Sequence, residues 1–331
     1  PAFSVENAFA PALQRVRAEK ALVEGRLRQA EGTERDGLMA CRRSLVEREN
    51  QLELEARKRL TMSLLRQRVS LLAAMEAVGR LDLLLAKARL ARRFSCCRPE
   101  ITKQPRVEAV DMVHPEAAAY LGERGGSFTA VSLTLERGTT VITGANMGGK
   151  SVSMKSLTLN LLLAQTGFFT FAGAFSAPLF HSVCLICTDR QSVEQGLSSF
   201  GAEMSALGAV LREEKDKFFY IALDEFARGT NPREGAALAR ALAEYLGRLN
   251  CVALMTTHYD GVSDAARRHY RVAGLGALDT AALQKDGAPL EHLSRLMDYH
   301  LIEAKPGEPC PRDALRVCRL LDLDPALMEI F

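Results

Sequence analysis

Hydrophobic residues recur at helical spacing through residues 11–94. In the segment 54–94 they stand at i, i+3, i+4 and i+7, and almost no Gly or Pro interrupts them. Residues 12–30 show the same pattern with more charged positions, and "AEGTERDG" at 30–37 is the predicted break between two long helices. The pattern fits a lever, a coiled-coil arm or a bundle that packs on its neighbour. We therefore predict a helical domain over residues 1–105.

The pattern changes after residue 105, where prolines mark a boundary. Short apolar runs then alternate with segments of helical periodicity. The predicted strands are "FTAVSLTLE", "TTVITG", "HSVCLICTD", "FFYIALDE" and "CVALMTTH". The predicted helices lie near 150–166, 200–214 and 233–248. This alternation predicts an α/β domain with a mostly parallel, buried sheet over residues 106–262. A β/helix segment follows over residues 263–331.

The segment "VITGANMGGKSVSMKS" places a glycine-rich loop between a predicted strand and a predicted helix. It contains G-x-x-x-x-G-K-S, and this context indicates a P-loop whose backbone N–H groups wrap a phosphate chain at a helix N-terminus. Lys150 is predicted to reach the β- and γ-phosphates of a nucleotide, and Ser151 to bind Mg²⁺. The predicted phosphate-binding residues are Gly144, Ala145, Asn146, Met147, Gly148, Gly149, Lys150 and Ser151.

Two later strands end in polar residues that fit nucleotide hydrolysis. "FFYIALDE" ends in Asp224, which is placed to hold Mg²⁺, and Glu225, which is placed to orient and deprotonate an attacking water. The next apolar strand ends in Thr256, Thr257 and His258, a candidate sensor of the γ-phosphate. The plainer interpretation is an ordinary strand that ends in acidic residues, but the position of this strand after a P-loop favours nucleotide hydrolysis.

Composition and charge limit the cellular location and the partners that the sequence predicts. Among the 331 residues, no apolar run approaches the roughly 18 that a membrane span needs, and the first residues lack the apolar core of a signal peptide. Eight Cys without export signals predict reduced thiols and a cytoplasmic location. Residues 1–105 carry 21 Lys and Arg against 13 Asp and Glu, whereas residues 106–331 carry 22 against 27. The basic half is either a solvated helical surface or a surface for nucleic acid or an acidic protein.

Together these motifs resemble the ATPase domain of the MutS family, a branch of the ABC-type ATPases. "TGANMGGKS" differs from that family's P-loop mainly by Ala145 in place of a Pro. The other resembling segments are "HPE" (114–116), "GLSSFGAEM" (196–204, here called the signature segment), "LDEFARGTNPREG" (223–235), "TTHY" (256–259) and the tail from "AKPGEPCPRDALRVCRLLDLDP". The resemblance runs from about His114 to the C-terminus.

The resemblance implies a mechanism in which two ATPase domains sandwich two Mg–ATP molecules. The partner is another copy of the chain or a MutS-like paralogue, and closure of the pair moves the attached helices. Glu225 is then the catalytic base and His258 the sensor of hydrolysis. The remaining implied contacts are Ser198 and Ser199 on the opposite subunit's γ-phosphate, Arg228, Gly229, Thr230 and Asn231 in the D-loop, and Phe128 stacked on adenine.

The chain also departs from the family pattern. The 105 residues before the ATPase domain are too few for a mismatch-reading domain, and Gln191-Ser192 replace an acidic pair before the signature segment. Phe226-Ala227 stand where the family usually has Ile-Gly after the acid pair. The D-loop and tail look more like MutS-related ATPases that reactivate adenosylcobalamin-dependent lysine or ornithine aminomutases. Such an aminomutase is therefore the expected partner. The alternative is a DNA-acting relative in mismatch repair or recombination, which would grip DNA through its basic helical half.

Overall fold

The computed structural model describes residues 4–144, 149–187, 199–274, 298–305 and 307–308. The chain forms two compact units, one ending at Leu85 and one beginning at Ala86. The domain boundary predicted near residue 105 stays a prediction. Among the described residues, no helix is both long and apolar enough to cross a bilayer.

The first unit is helical, as predicted. Its helices are α1 (Pro11–Leu27), α2 (Gly32–Arg66) and the first part of α3 (Arg68–Arg93). Helices α1 and α2 pack through a small core of Val5, Ala10, Leu13 and Ala56. Arg17 on α1 adds ion pairs to Glu49 and Glu53 on α2 at 2.8 and 2.7 Å. These pairs are partly exposed and contribute little to stability, but they favour one register of the two helices.

The helix boundaries differ from the prediction. Between α1 and α2, residues 28–31 are not helical. Helix α2 begins at Gly32, inside the segment predicted as a break. A glycine costs about 1 kcal/mol in a helix interior, yet α2 continues through the exposed Gly37. The continuous apolar pattern also gave no sign of the interruption at Gln67, where the backbone departs from α-helical angles. The predicted pair of long helices is therefore three helices.

The second unit contains a six-stranded sheet in the order β10-β9-β4-β8-β7-β6. Its strands are β4 (Gly138–Thr143), β6 (Val183–Cys187), β7 (Phe219–Asp224), β8 (Cys251–Thr257), β9 (Arg268–Gly274) and β10 (Asp298–Ala304). All neighbours are parallel except β10, which pairs antiparallel with β9. The predicted parallel arrangement is confirmed for this sheet.

A second, four-stranded sheet was not predicted from the sequence. It has the order β1-β5-β2-β3, with β1 (Glu100–Thr102), β2 (Arg106–Met112), β3 (Val131–Glu136) and β5 (Ala174–Pro178). Its pairings are mixed, since β1 and β5 are parallel and β2 is antiparallel to both neighbours. Strand β2 carries four charged or exposed positions among its seven residues, which makes its apolar alternation hard to see in the sequence.

Beyond the end of α3, the described part of this unit contains four α-helices: α4 (Pro115–Glu123), α5 (Lys150–Gln165), α6 (Ser199–Glu214) and α7 (Pro232–Arg248). Helix α5 and the four-stranded sheet form a core with one face of the parallel sheet, which includes Tyr220 and Leu254. Helices α6 and α7 form a core with the other face, which includes Leu223 and Met255. The central strands are buried on both faces because successive side chains alternate. The carboxyl ends of β4, β7 and β8 are therefore held rigidly side by side.

Candidate functional site

The predicted P-loop begins at the end of β4 and leads into helix α5. Gly149 is the N-cap of α5 and has φ +78°, a left-handed conformation that favours glycine. A Cβ atom at this position would also lie 3.2 Å from Cδ1 of Tyr299. Gly144 has φ +139° at the other end of the loop. Of the predicted phosphate-binding residues, Ala145, Asn146, Met147 and Gly148 lie outside the described part of the chain.

Lys150 is the first residue of α5 and is almost completely buried, with a side chain 2% exposed. Its Nζ donates a hydrogen bond of 2.7 Å to the carbonyl of Gly144 and lies 3.8 Å from Oε1 of Glu225. The ammonium group therefore spans the ends of the loop and faces the predicted catalytic carboxylate. A buried cation at this position is suited to bind an anion.

Three oxygen ligands meet beside the lysine. The hydroxyls of Ser151 and Thr256 each donate a hydrogen bond of 2.7 Å to the same oxygen of Asp224. Mg²⁺ in nucleotide sites is held by one or two such hard oxygen ligands, together with waters and phosphates. Ser151 and Asp224 thus fit the predicted Mg²⁺ site. The described residues contain no group of three or more His, Cys, Asp or Glu side chains placed to hold a metal.

Glu225 follows the strand end in a strained backbone conformation. Its φ is +48°, and its N–H donates to both the carbonyl and the hydroxyl of Thr256, at 3.1 and 3.0 Å. Its carboxylate accepts a hydrogen bond of 2.5 Å from Arg228. A non-glycine residue in this region costs about 1–3 kcal/mol, and such strain is common at functional sites. The turn aims the carboxylate back toward Lys150.

His258, the predicted sensor, lies at the end of β8, next to the strand that carries Asp224. Partial burial is the main cause of a lowered pKa for its imidazole; the positive charges of Lys150 and Arg228 act in the same direction, and Glu225 opposes them. The imidazole is therefore neutral at pH 7 and offers one hydrogen-bond donor and one acceptor. Its ring centroid lies 4.5 Å from that of Tyr259.

The predicted D-loop begins at Arg228, three residues after Glu225. Arg228 and Gly229 are exposed and Thr230 is half-buried. The side chain of Asn231 accepts a hydrogen bond of 3.0 Å from the N–H of Arg233 and caps helix α7. Arg228 contacts another predicted site residue, Glu225.

Tight packing holds this loop against helix α7. A Cβ atom at Gly235 would lie 2.6 Å from the hydroxyl of Tyr259 and 2.8 Å from the carbonyl of Ala227, closer than real contacts allow. By contrast, a Cβ atom at Gly247, in the same helix, would meet nothing within 4 Å. The two glycines therefore form a matched pair for mutation.

We expect Gly235→Ala to destabilise the protein by about 2 kcal/mol, because overpacking costs about 1–3 kcal/mol and the Tyr259 hydrogen bond is lost. Thermal unfolding followed by circular dichroism should show a Tm lower by about 5 °C. Gly247→Ala should raise the Tm slightly, since alanine is favoured over glycine in helices by about 1 kcal/mol. Equal effects of the two substitutions would contradict this account of the packing.

A cavity of about 360 Å³ opens beside the P-loop. It is lined by Phe128, the residue predicted to stack on adenine, together with Lys150 and Ser151. Two further aromatic residues on its wall, Tyr120 and Tyr299, were not predicted. The "HPE" segment could have pointed to Tyr120 from the sequence, because its residue His114 caps the short helix that carries this tyrosine.

The signature segment is only partly described. Ser198 lies outside the described residues, and Ser199 is the first residue of helix α6. The roles predicted for Ser198 and Ser199 therefore remain predictions. Farther along the same helix, the buried side chain of Glu203 accepts a hydrogen bond from the N–H of Ala227, just before the D-loop, a contact that sequence reasoning missed.

A phosphate loop between a parallel strand and a helix, with Ser151 at the start of that helix hydrogen-bonded to Asp224 at the end of β7, is typical of the class of P-loop nucleotide hydrolases. Residues 140–295 match the family model described as MutS domain V. This match agrees with the resemblance to the ATPase domain of the MutS family that the motifs predict for this part of the chain.

Similar proteins include three named Endonuclease MutS2. The one from Thermomicrobium roseum is 36% identical over 262 residues, which are 76% of this chain and 31% of the relative. The one from Symbiobacterium thermophilum is 31% identical over 261 residues, 78% of this chain and 30% of the relative. The one from Staphylococcus epidermidis is 34% identical over 192 residues, 57% and 24% of the two chains. This chain thus spans less than a third of the length of these relatives.

Proposed function

We propose that the protein binds and hydrolyses Mg–ATP at a site completed by a second subunit, and that hydrolysis moves the attached helices to act on DNA. One observation carries the ATPase part of this proposal. Four residues converge at the carboxyl ends of β4 and β7, two parallel strands on either side of β8, and hydrogen bonds and an ion pair hold them there: Lys150, Ser151, Asp224 and Glu225. The match to MutS domain V supports the same conclusion.

Different groups of the chain bind the phosphates and Mg²⁺. The ammonium of Lys150 binds the β- and γ-phosphate oxygens, and the amides at the start of α5 add donors at the positive end of the helix dipole. Ser151 and Asp224 hold Mg²⁺, which neutralises charge that develops on the phosphates. Because Thr256 donates to the same oxygen of Asp224, it fixes the orientation of that carboxylate.

Glu225 is the proposed general base. It accepts a proton from the water that attacks the γ-phosphate, at a carboxylate oxygen facing Lys150. The neutral His258 beside it can accept or donate one hydrogen bond to the γ-phosphate or to the water. The hydrogen bond from Arg228 engages the other carboxylate oxygen, so the D-loop limits how freely the base can move.

The proposed second subunit is either another copy of this chain or a MutS-like paralogue. Signature residues Ser198 and Ser199 would contact its γ-phosphate, and Phe128 would stack on the adenine in the cavity beside the P-loop. The exposed D-loop residues, Arg228 and Gly229, are available for contact with a partner. ATP binding would then close the dimer, and hydrolysis would open it.

DNA is the partner that the comparisons favour. The relatives are endonucleases by name, and residues 1–105 carry 21 basic against 13 acidic residues. The resemblance to reactivases of cobalamin-dependent aminomutases finds no support among these relatives. We therefore place the DNA-related role in recombination or mismatch repair ahead of the aminomutase role.

The DNA proposal predicts salt-sensitive binding. Fluorescence anisotropy with a labelled duplex should show affinity that falls linearly with salt on logarithmic axes, because counterions are released from neutralised phosphates. The double substitution Arg92→Gln and Arg93→Gln, at exposed positions of the basic half, should reduce the slope by about 1 to 2.

Arg267→Gln is the matched control, since Arg267 lies outside the basic half and already pairs with Glu136 at 2.8 Å. We expect it to leave the slope unchanged. Absence of duplex binding at low salt would contradict the DNA proposal. It would leave the ATPase proposal intact, because ATP hydrolysis is measured without DNA.

A further inference from the structure

Two residues after Glu225, the backbone of Ala227 is strained. Ala227 has φ +63°, and Glu225 has φ +48°. Both lie in the left-handed region, which costs a non-glycine residue about 1–2 kcal/mol. Phe226 between them is 1% exposed and belongs to the core beneath α6 and α7. The turn that presents the proposed base therefore needs contacts that compensate for its conformation.

Two side chains form hydrogen bonds with the backbone of Ala227, one with its N–H group and one with its carbonyl group. Its N–H donates a hydrogen bond of 3.0 Å to Oε2 of Glu203, and its carbonyl accepts one of 3.1 Å from the hydroxyl of Tyr259. Glu203 lies on α6 and Tyr259 follows β8, so the two side chains clamp the turn from separate elements. Gly235 completes the enclosure, because no larger residue would fit beside Tyr259 and Ala227.

The burial of the Glu203 carboxyl group is energetically unfavourable. Its side chain is 6% exposed, and its Oε1 atom has no hydrogen-bond partner among the described residues. Burial raises the pKa of its carboxyl group, and the hydrogen bond from Ala227 only partly offsets this effect. A buried carboxylate with a single hydrogen bond lowers the stability of the folded protein. The hydrogen bond with Ala227 is the role of Glu203 that the structure shows.

We propose that Glu203 is a positioning residue for the ATPase reaction, acting on Glu225 through the backbone of Ala227. This inference rests on the proposed function of Glu225 as the base. Because α6 begins in the signature segment, a shift of this helix would reach Glu225 through one hydrogen bond. Loss of the Glu203 carboxyl group lets Ala227 relax from its left-handed conformation, and the carboxylate of Glu225 then leaves its orientation toward Lys150.

The kinetic test compares Glu203→Ala with Glu203→Gln. We expect Glu203→Ala to lower kcat for ATP hydrolysis about 10- to 100-fold, within the range that misplaced catalytic groups lose, while KM for ATP changes less than about twofold. Phosphate binding should persist because Lys150 and Ser151 are held by hydrogen bonds to Gly144 and Asp224, which the substitution leaves in place. Glu203→Gln keeps an acceptor for the N–H of Ala227, and we expect it to restore most of kcat.

Glu214→Ala is the matched control. Glu214 lies on the same helix, is 8% exposed and also has an oxygen without a hydrogen-bond partner among the described residues, but its carboxylate lies beside Lys217 and His181. We expect it to leave kcat unchanged. A normal kcat for Glu203→Ala, a rise in KM equal to the fall in kcat, or a loss for Glu203→Gln as large as for Glu203→Ala would each overturn the proposal.

Hydrogen–deuterium exchange tests the clamp without turnover. Glu203→Ala should accelerate exchange in the segment 225–230, whereas Glu203→Gln and Glu214→Ala should leave it near wild type. Unchanged exchange in Glu203→Ala would overturn the positioning role. Wild-type protein that fails to hydrolyse ATP would instead overturn the proposed function, so the two failures are distinguishable.

Discussion

Glu225→Gln should lower kcat for ATP hydrolysis by about 100- to 1000-fold while leaving ATP binding nearly intact. A positioned general base contributes about 10²- to 10⁴-fold to a proton-transfer step. The amide keeps the size of the carboxylate and can still accept from Arg228, which now donates a hydrogen bond of 2.5 Å to the carboxylate. Phosphate release and equilibrium binding of a fluorescent ATP analogue measure the two effects separately.

The same substitution should also trap the proposed dimer in its ATP-bound, closed state, because the step that opens it is lost. Size-exclusion chromatography with light scattering, with and without Mg–ATP, measures that state. Glu244→Gln is the control, since Glu244 is exposed on α7 and pairs with Arg248 one turn away. Wild-type turnover in Glu225→Gln would refute the assigned base, whatever the oligomeric state.

Lys150→Ala should weaken ATP binding by at least about 100-fold. Charge-assisted hydrogen bonds contribute about 1.5–3 kcal/mol each, and 2.7 kcal/mol corresponds to about a hundredfold in Kd. Lys150 makes this contribution from a nearly buried position, so no neighbouring surface cation can replace it. Titration with the fluorescent analogue measures binding, and circular dichroism verifies that the variant folds.

Lys155→Ala is the matched control for Lys150. It removes the same charge from the same helix, but Lys155 is exposed. We expect ATP affinity within about twofold of wild type, since an exposed charge on a helix surface is screened. Equal weakening by both substitutions would show that net charge, rather than the position of Lys150, governs binding.

The ends of the three central strands were the most predictable part of the molecule. Each of β4, β7 and β8 is a short apolar run buried on both faces, and each ends at the polar residues singled out from the sequence. Parallel strands bring their carboxyl ends to one edge, so Gly144, Asp224 and His258 come together through local patterns alone. The four-stranded sheet was missed because its strands are short, mixed in direction and partly exposed.

The sequence by itself determined the P-loop, the acidic strand end and the helical character of the first residues, because these depend on neighbours close in the chain. Only the tertiary structure decided that Glu203, 24 positions away along the chain from Ala227, accepts its N–H. It also decided that Tyr120 and Tyr299 share one cavity wall with Phe128. Such contacts join separate elements, and no periodicity or motif encodes the distance between them. The base is identified by its place at a strand end, whereas its orientation is set by packing.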